Sequence, residues 1–491
     1  MSAPNSPAVD LQALAKQAMR DNGFEPDFPP QAAAQLAALR THPPKIAPGP
    51  GVRDLRDLPW SSIDNETSRD LDQVEVSHVL ENGDTRILIG IADVDAFVPK
   101  GSPLDVHAAA ATTTVYSGVR NFPMLPEQIS NTASSLVEGD DKLSMVVEIV
   151  VAEDGGLRSS DIYRAVLRNR FQLTYNTVGP WLDAPHLAPP AKVAASKVVQ
   201  DQLTMQDRAA RALKTARFRH GALNIETIEL RPIVLNDQVV DVERQEKNPA
   251  TDLIEEFMIA TNGVVARMLE ARGVSSIRRV VKTPKRWNRI VALAAECGTK
   301  LPETPDSKAL NDFLVARKAA DPDHFADLSL AVIKLLGPGE YVLERPGDPD
   351  QIHFGLAVQD YSHSTAPNRR FADLVTQRLV KAVLASAPAP YTDNELDEIA
   401  KDCTQRADAA RKVERVMSKR IAAVAMSRRI GETFDAMVTG VTPHGTFVRV
   451  LRPAVEGLLT RGEQGVDVGD RLRVRLLDTD PARGYIDFAR V

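Results

Sequence analysis

Asp64, Asp70 and Asp72 fall within nine residues, in the segment Ser62-Ile63-Asp64-Asn65-Glu66-Thr67-Ser68-Arg69-Asp70-Leu71-Asp72-Gln73. Asp70 and Asp72 are two apart and project to one side of an extended chain. Carboxylates this close repel unless a cation neutralises them. Oxygen-only ligands suit Mg²⁺, which is held by a few carboxylates together with substrate phosphates. On its own the cluster reads more readily as a solvated acidic turn. A second constellation lies far downstream, where Thr365-Ala366-Pro367-Asn368-Arg369-Arg370 leads into a helix beginning near Phe371. An Arg at such a helix start can clamp a phosphate and stabilise charge developing on it. An isolated Arg pair is more often solvated or salt-bridged, and Arg370 has Asp373 within reach.

The surroundings change the weight of these readings. The run Ile63 to Asp72, then Ile89-Gly90-Ile91-Ala92-Asp93-Val94, Phe122-Pro123-Met124-Leu125-Pro126 and Thr365 to Leu374, resembles the catalytic domain of the ribonuclease II/R family in order and spacing. The resemblance extends over roughly residues 55 to 491. It implies a processive 3′→5′ exoribonuclease that hydrolyses single-stranded RNA, and structured RNA as a further possibility, to 5′-nucleoside monophosphates and a short end product. Mg²⁺ is the implied cofactor, with Mn²⁺ able to substitute. Asp64, Asp70 and Asp72 match acidic metal-site positions of the family, and Arg369 matches its catalytic arginine. Tyr116 and Tyr175 match tyrosines that contact RNA, and Glu414 aligns with a glutamate near the RNA 3′ end.

The chain departs from the family in two places. The family's fourth metal-site carboxylate is here Gln73, whose carbonyl can still ligate Mg²⁺ or orient its water, but without charge. Glu75 or Asp93 are candidate substitutes, Asp93 more naturally as a supporting group. An aromatic expected after Glu229-Leu230-Arg231 appears as Pro232. These losses leave open a catalytically weakened RNA-binding protein on the same scaffold, although a pure binder needs none of Asp64, Asp70, Asp72 or Arg369.

The chemistry fits the residues. Phosphodiester hydrolysis needs an activated water and a stabilised leaving oxygen, and two metal ions about 4 Å apart serve both ends of an in-line displacement. Aromatic side chains stack on bases without regard to sequence, worth roughly 1–3 kcal/mol per base. With aromatics at 5% of the chain, Tyr116 and Tyr175 are conspicuous.

Length and composition set the frame. The 491 residues suffice for several domains, and 43% hydrophobic content supports a sizeable core. A net charge of −6 gives no bulk attraction to nucleic acid, so RNA must be held by local basic surfaces and by metal. Cys297 and Cys403 are too few for a disulfide framework, and no apolar stretch is long enough for a membrane span. A cytoplasmic monomer with no membrane association is expected.

The pattern predicts an α+β catalytic domain with a small N-terminal helical domain and a C-terminal five-stranded OB β-barrel. The first, residues 1–50, contains two or three short helices and a Pro/Gly-rich linker, either a helix-turn-helix module or a docking cap. It is too short and too helical to encode the cold-shock barrels that precede the catalytic domain in many family members. Residues 51–430 mix apolar strands such as Met145–Val151 with amphipathic helices over Asp252–Glu270 and Ala372–Ala385. Gln405 to Arg429 carries eight Lys and Arg against Asp408 and Glu414, a basic helix able to line an RNA path. Residues 431–491 show short strands, Gly turns and the alternating Arg471-Leu472-Arg473-Val474-Arg475, resembling the RNA-binding barrel of ribosomal protein S-one. There His444 and Phe447 are candidates for stacking, and Arg449 and Arg473 for phosphate contacts.

Overall fold

The computed structural model describes residues 9–225, 247–322, 324–349, 353–450, 452–453 and 455–491, together with the backbone of 229–235, 238–245 and 352. The side chain of Pro232 lies outside the described residues.

A seven-stranded sheet carries the catalytic segment. Its order is Val52–Asp54, Leu157–Arg168, Asp141–Val151, Thr85–Ala92, Gln73–Val79, Ser61–Asp64 and Phe171–Thr174. The central strands are apolar on both faces because both are covered: Ile87, Ile89, Ile91, Val146 and Ile149 are all buried. Gly90 sits where a side chain could not, since an added Cβ would lie 2.6 Å from Leu167 Cδ2. Trp60 enters the sheet fully buried, with its indole N–H donated to the Leu55 carbonyl at 2.8 Å.

Three further helices bear on the site. Pro249–Ala271 opens on Asn248, which caps the helix through a reciprocal bond with Thr251. Phe371–Leu384 is almost wholly buried, and its Arg378 donates to Asp95, the Val98 carbonyl and the Tyr391 hydroxyl. Asp393–Ser427 is one 35-residue helix, so the predicted basic segment is the second half of a longer rod. Its apolar stripe (Leu396, Ala400, Cys403, Ala410, Val413, Met417) keeps helical spacing and spans separate cores.

The N-terminal region forms two helices, Leu11–Asp21 and Pro30–Thr41. Ala15, Ala18, Met19 and Phe24 pack with Ala410, Val413 and Met417 of the long helix. Arg406 donates to the Gly23 carbonyl at 2.5 Å. The first helix is thereby docked on the long helix. At the other end, Thr433–Thr442, Gly445–Val450, Glu456–Arg461, Tyr485–Arg490 and Arg471–Asp480 close a five-stranded barrel around Val448, Leu459, Val474 and Phe488.

Candidate active site

Asp64 closes the strand Ser61–Asp64, and Asp70 and Asp72 sit on the loop that turns back into Gln73–Val79. The loop is held from both sides. Asp64 Oδ1 accepts from the Asn65 N–H and the Ser68 hydroxyl, both at 2.7 Å. The Ser135 hydroxyl accepts from Leu71 N–H at 2.9 Å and donates to the Arg69 carbonyl at 2.8 Å.

Asp72 is the pivot. It is 2% exposed. Its Oδ1 accepts from the backbone N–H of Asn368 at 3.2 Å and from Asn368 Nδ2 at 2.9 Å. The Asn368 Oδ1 in turn accepts from the Ser134 hydroxyl at 2.6 Å. The other oxygen, Asp72 Oδ2, is buried without a hydrogen bond, 3.7 Å from Arg369 Nε. Burial is the main force pushing the Asp72 carboxyl up to about 8, against the pull of Arg369. Asp70 is raised for the same reason. The carboxylates are thus hard to ionise where they stand, and one acceptor of Asp72 is left unpaired.

The loop 365–370 is pinned by Asp373, which is wholly buried and accepts from Ala366 N–H at 2.8 Å and from Arg370 at 2.7 Å. Arg370 is thereby drawn to Asp373, as its spacing allowed. Arg369 stays nearly half exposed and faces Asp64, Asp70, Asp72 and Tyr116. Tyr116 is partly exposed, and desolvation beside this cluster pushes its hydroxyl up to about 12. Its backbone N–H donates to Glu414 Oε1 at 3.3 Å, so the long helix reaches the site directly. Tyr175 opens the helix Tyr175–Asp183, where Asn248 packs on Gly179 and donates to the Tyr175 carbonyl at 3.2 Å. Burial raises its hydroxyl pKa, with Asp64 and Glu75 adding to the effect. Beside the site, a cleft of about 220 Å³ is lined by Arg279, Tyr341, His363, Arg370, Arg411 and Glu414.

The candidates for the fourth carboxylate separate cleanly. Gln73 begins its strand in register with Ile91 and is 7% exposed. Asp93 is committed elsewhere, bonded to Lys381 at 2.8 Å and capping Ala96 N–H at 3.3 Å. Glu75 is 1% exposed with both carboxylate oxygens unpartnered, and burial drives its pKa well up. Its burial beneath the site was not readable from the sequence.

On the barrel, Arg473 is exposed and His444 lies at an exposed turn, with Phe447 half-buried beside it. Arg449 is instead tied to Asp327 of the helix Phe325–Leu336, with Glu456 at 4.0 Å. The structure thus makes it a docking contact.

Fold and site together define an α+β domain whose buried acidic loop faces an arginine, with an appended OB barrel. The RNB domain matches residues 52–386, and the RNase II-type exonuclease C-terminal S1 domain matches residues 432–491. The chain belongs to the RNB-domain family. It is 29% identical to Ribonuclease R of Thermotoga maritima over 99% of its own length and 71% of the relative's. It is 28% identical to Ribonuclease R of Escherichia coli, covering 99% of this chain and 62% of that one. RNase R of Mycoplasma genitalium, solved with ribose-methylated single-stranded RNA, superposes with a TM-score of 0.87 at 22% identity, covering 98% and 78% of the two chains. Among the described residues no helix is long and apolar enough to cross a membrane.

Proposed function

We propose that this chain is a processive, metal-dependent 3′→5′ exoribonuclease that shortens single-stranded RNA to 5′-nucleoside monophosphates and a small end product. Mg²⁺ is the proposed cofactor, with Mn²⁺ as substitute. One observation carries the reading: a buried, unpartnered Asp72 oxygen beside Arg369, brought together across the chain by Asn368. A binding protein has no use for a carboxylate held in so costly a state.

In this reading Asp64, Asp70 and Asp72 would hold the metal, with the Gln73 amide as a neutral fourth ligand. A metal held there would supply an activated water and charge for the departing oxygen. Asn368 fixes the rotamer of Asp72, so that one oxygen is always spent on its donors and the other is always presented. Arg369 stabilises the negative charge growing on the scissile phosphate. Tyr116 and Tyr175 flank the carboxylates and stack on the bases. Arg370, Arg411 and Arg279 lead the backbone along the cleft, and Glu414 sits near the RNA 3′ end. Arg473, His444 and Phe447 offer an outer contact on the barrel. Two free cysteines suit the cytoplasm, where the chain is proposed to act as a monomer.

The test is a time course on 5′-labelled single-stranded RNA with Mg²⁺ and with EDTA, beside the Asp72→Asn variant. Metal-dependent shortening to a short product, absent in the variant, is the expected result. Tight binding without cleavage in Mg²⁺ or Mn²⁺ would instead make Gln73 the mark of a retired site.

A further inference from the structure

Among the described residues, one set of three acidic side chains brings carboxylate oxygens within 4.8 Å of one another, and it is not the aspartate loop. It comprises Glu270, near the end of the helix Pro249–Ala271, Glu344, closing the strand Glu340–Glu344, and Asp360, just beyond the short strand Val358–Gln359. These residues come from three separate elements, so their convergence is a property of the fold.

Two arginines reach the cluster but do not saturate it. Arg278, 1% exposed, donates to Glu344 Oε1 at 2.8 Å and lies 3.7 Å from Glu270. Arg267 faces Asp360. Three carboxylates therefore meet two guanidinium groups. The unsatisfied atoms are specific. Glu344 is 5% exposed, yet its Oε2 has no hydrogen bond, and Asp360 Oδ1 is likewise buried and unpartnered. Ser276 pairs directly with Glu344 across the two-stranded ribbon, which places both side chains on one face. Ser276 is 1% exposed and its hydroxyl is also unpartnered. Buried polar atoms without partners are rare, and here three of them accompany a surplus of negative charge.

We propose that Glu344, Asp360, Glu270 and the Ser276 hydroxyl form a second divalent-cation site, separate from Asp64, Asp70 and Asp72. An all-oxygen set selects a hard cation, Mg²⁺ or Mn²⁺, over Zn²⁺. The ion ties the helix and the ribbon to the segment that runs from Asp360 into Thr365–Arg370. Its role is to hold the Arg369 loop in place, which makes it structural.

The experiment uses the full chain carrying Asp70→Asn and Asp72→Asn, which silences the first site. After EDTA treatment and desalting, Mn²⁺ is titrated and free Mn²⁺ is followed by electron paramagnetic resonance, with thermal unfolding in parallel. The silenced chain should bind one Mn²⁺ and gain about 3 °C in Tm at a hundredfold excess over Kd. Adding Asp360→Asn, nearly isosteric, should weaken Mn²⁺ binding at least tenfold. Glu270→Gln, on a partly exposed residue, should do the same and decides the matter should Asp360→Asn fail to fold. No Mn²⁺ uptake by the silenced chain would overturn the site. So would an affinity unchanged by Glu270→Gln, which would leave an ion-pair network bridged by Arg278 alone.

Discussion

Replacing Asp72 by Asn separates what the residue does for chemistry from what it costs the fold. The Asp72 carboxyl is pushed from 3.8 to about 8 by burial. Because the folded value is the higher one, the folded chain keeps a proton that the unfolded chain has released. The associated stability is complete below about pH 4 and is lost as pH climbs through 8. That gap sets a ceiling of about 5 kcal/mol on the penalty at pH 8, and local relaxation reduces it to roughly 1–3 kcal/mol. Asn is neutral throughout and keeps an Oδ1 for both Asn368 donors. It gives up only an ion pair at 3.7 Å with a half-exposed Arg369. In EDTA at pH 8 the variant should therefore be more stable than its parent by about 1–3 kcal/mol, and the difference should shrink below about 1 kcal/mol at pH 5. Guanidinium unfolding of the metal-free proteins at both pH values measures this. RNA hydrolysis should fall at least about a thousandfold, while affinity for labelled RNA in EDTA changes by less than about tenfold. A variant less stable than its parent at pH 8, or a difference independent of pH, would refute the account of Asp72 as an unrelieved buried acid.

Arg369→Lys keeps the charge but loses the fork, and single-turnover cleavage should slow by about 10²-fold with RNA affinity little changed; a loss confined to KM would argue for simple binding. Gln73→Asp should lower the Mg²⁺ concentration giving half-maximal rate, and an unchanged titration would remove position 73 from the metal site. Tyr175→Leu should weaken RNA binding by roughly 1–3 kcal/mol in a filter or fluorescence assay, since one stacked base is lost; unaltered affinity would return Tyr175 to a packing role.

Much of this was written in local residue order. The aspartate loop, the Thr365–Arg370 turn before a helix at Phe371 and the five barrel strands are each carried by residues close in sequence, where spacing and alternation report directly on structure. The predicted helices over Asp252–Glu270 and Ala372–Ala385 correspond to Pro249–Ala271 and Phe371–Leu384 for the same reason. What the sequence could not display are contacts between distant segments. Nothing in the neighbourhood of Asn368 announces that it will hold Asp72, and nothing near Arg449 points to Asp327. Glu75 lies in a strand whose alternation leaves a Glu free to face water. Only the cover of other elements shows that it does not. The N-terminal unit stood between a helix-turn-helix module and a cap, because its own residues do not say what Ala15, Ala18 and Met19 face.

The bond from Asn368 to Asp72 joins residues 296 positions apart. On a ribosome adding about 5–20 residues per second, the two partners are made roughly 15–60 s apart. Throughout that interval the growing chain displays three aspartates with no arginine across from them and no donor to orient the central one. The proposed centre is complete only once Asn368 and Arg369 have followed the aspartates off the ribosome. A protein of this kind is translated from the class of molecule it is proposed to digest. In the proposed reading, closure over this distance delays assembly of the centre until Asn368 and Arg369 have been made.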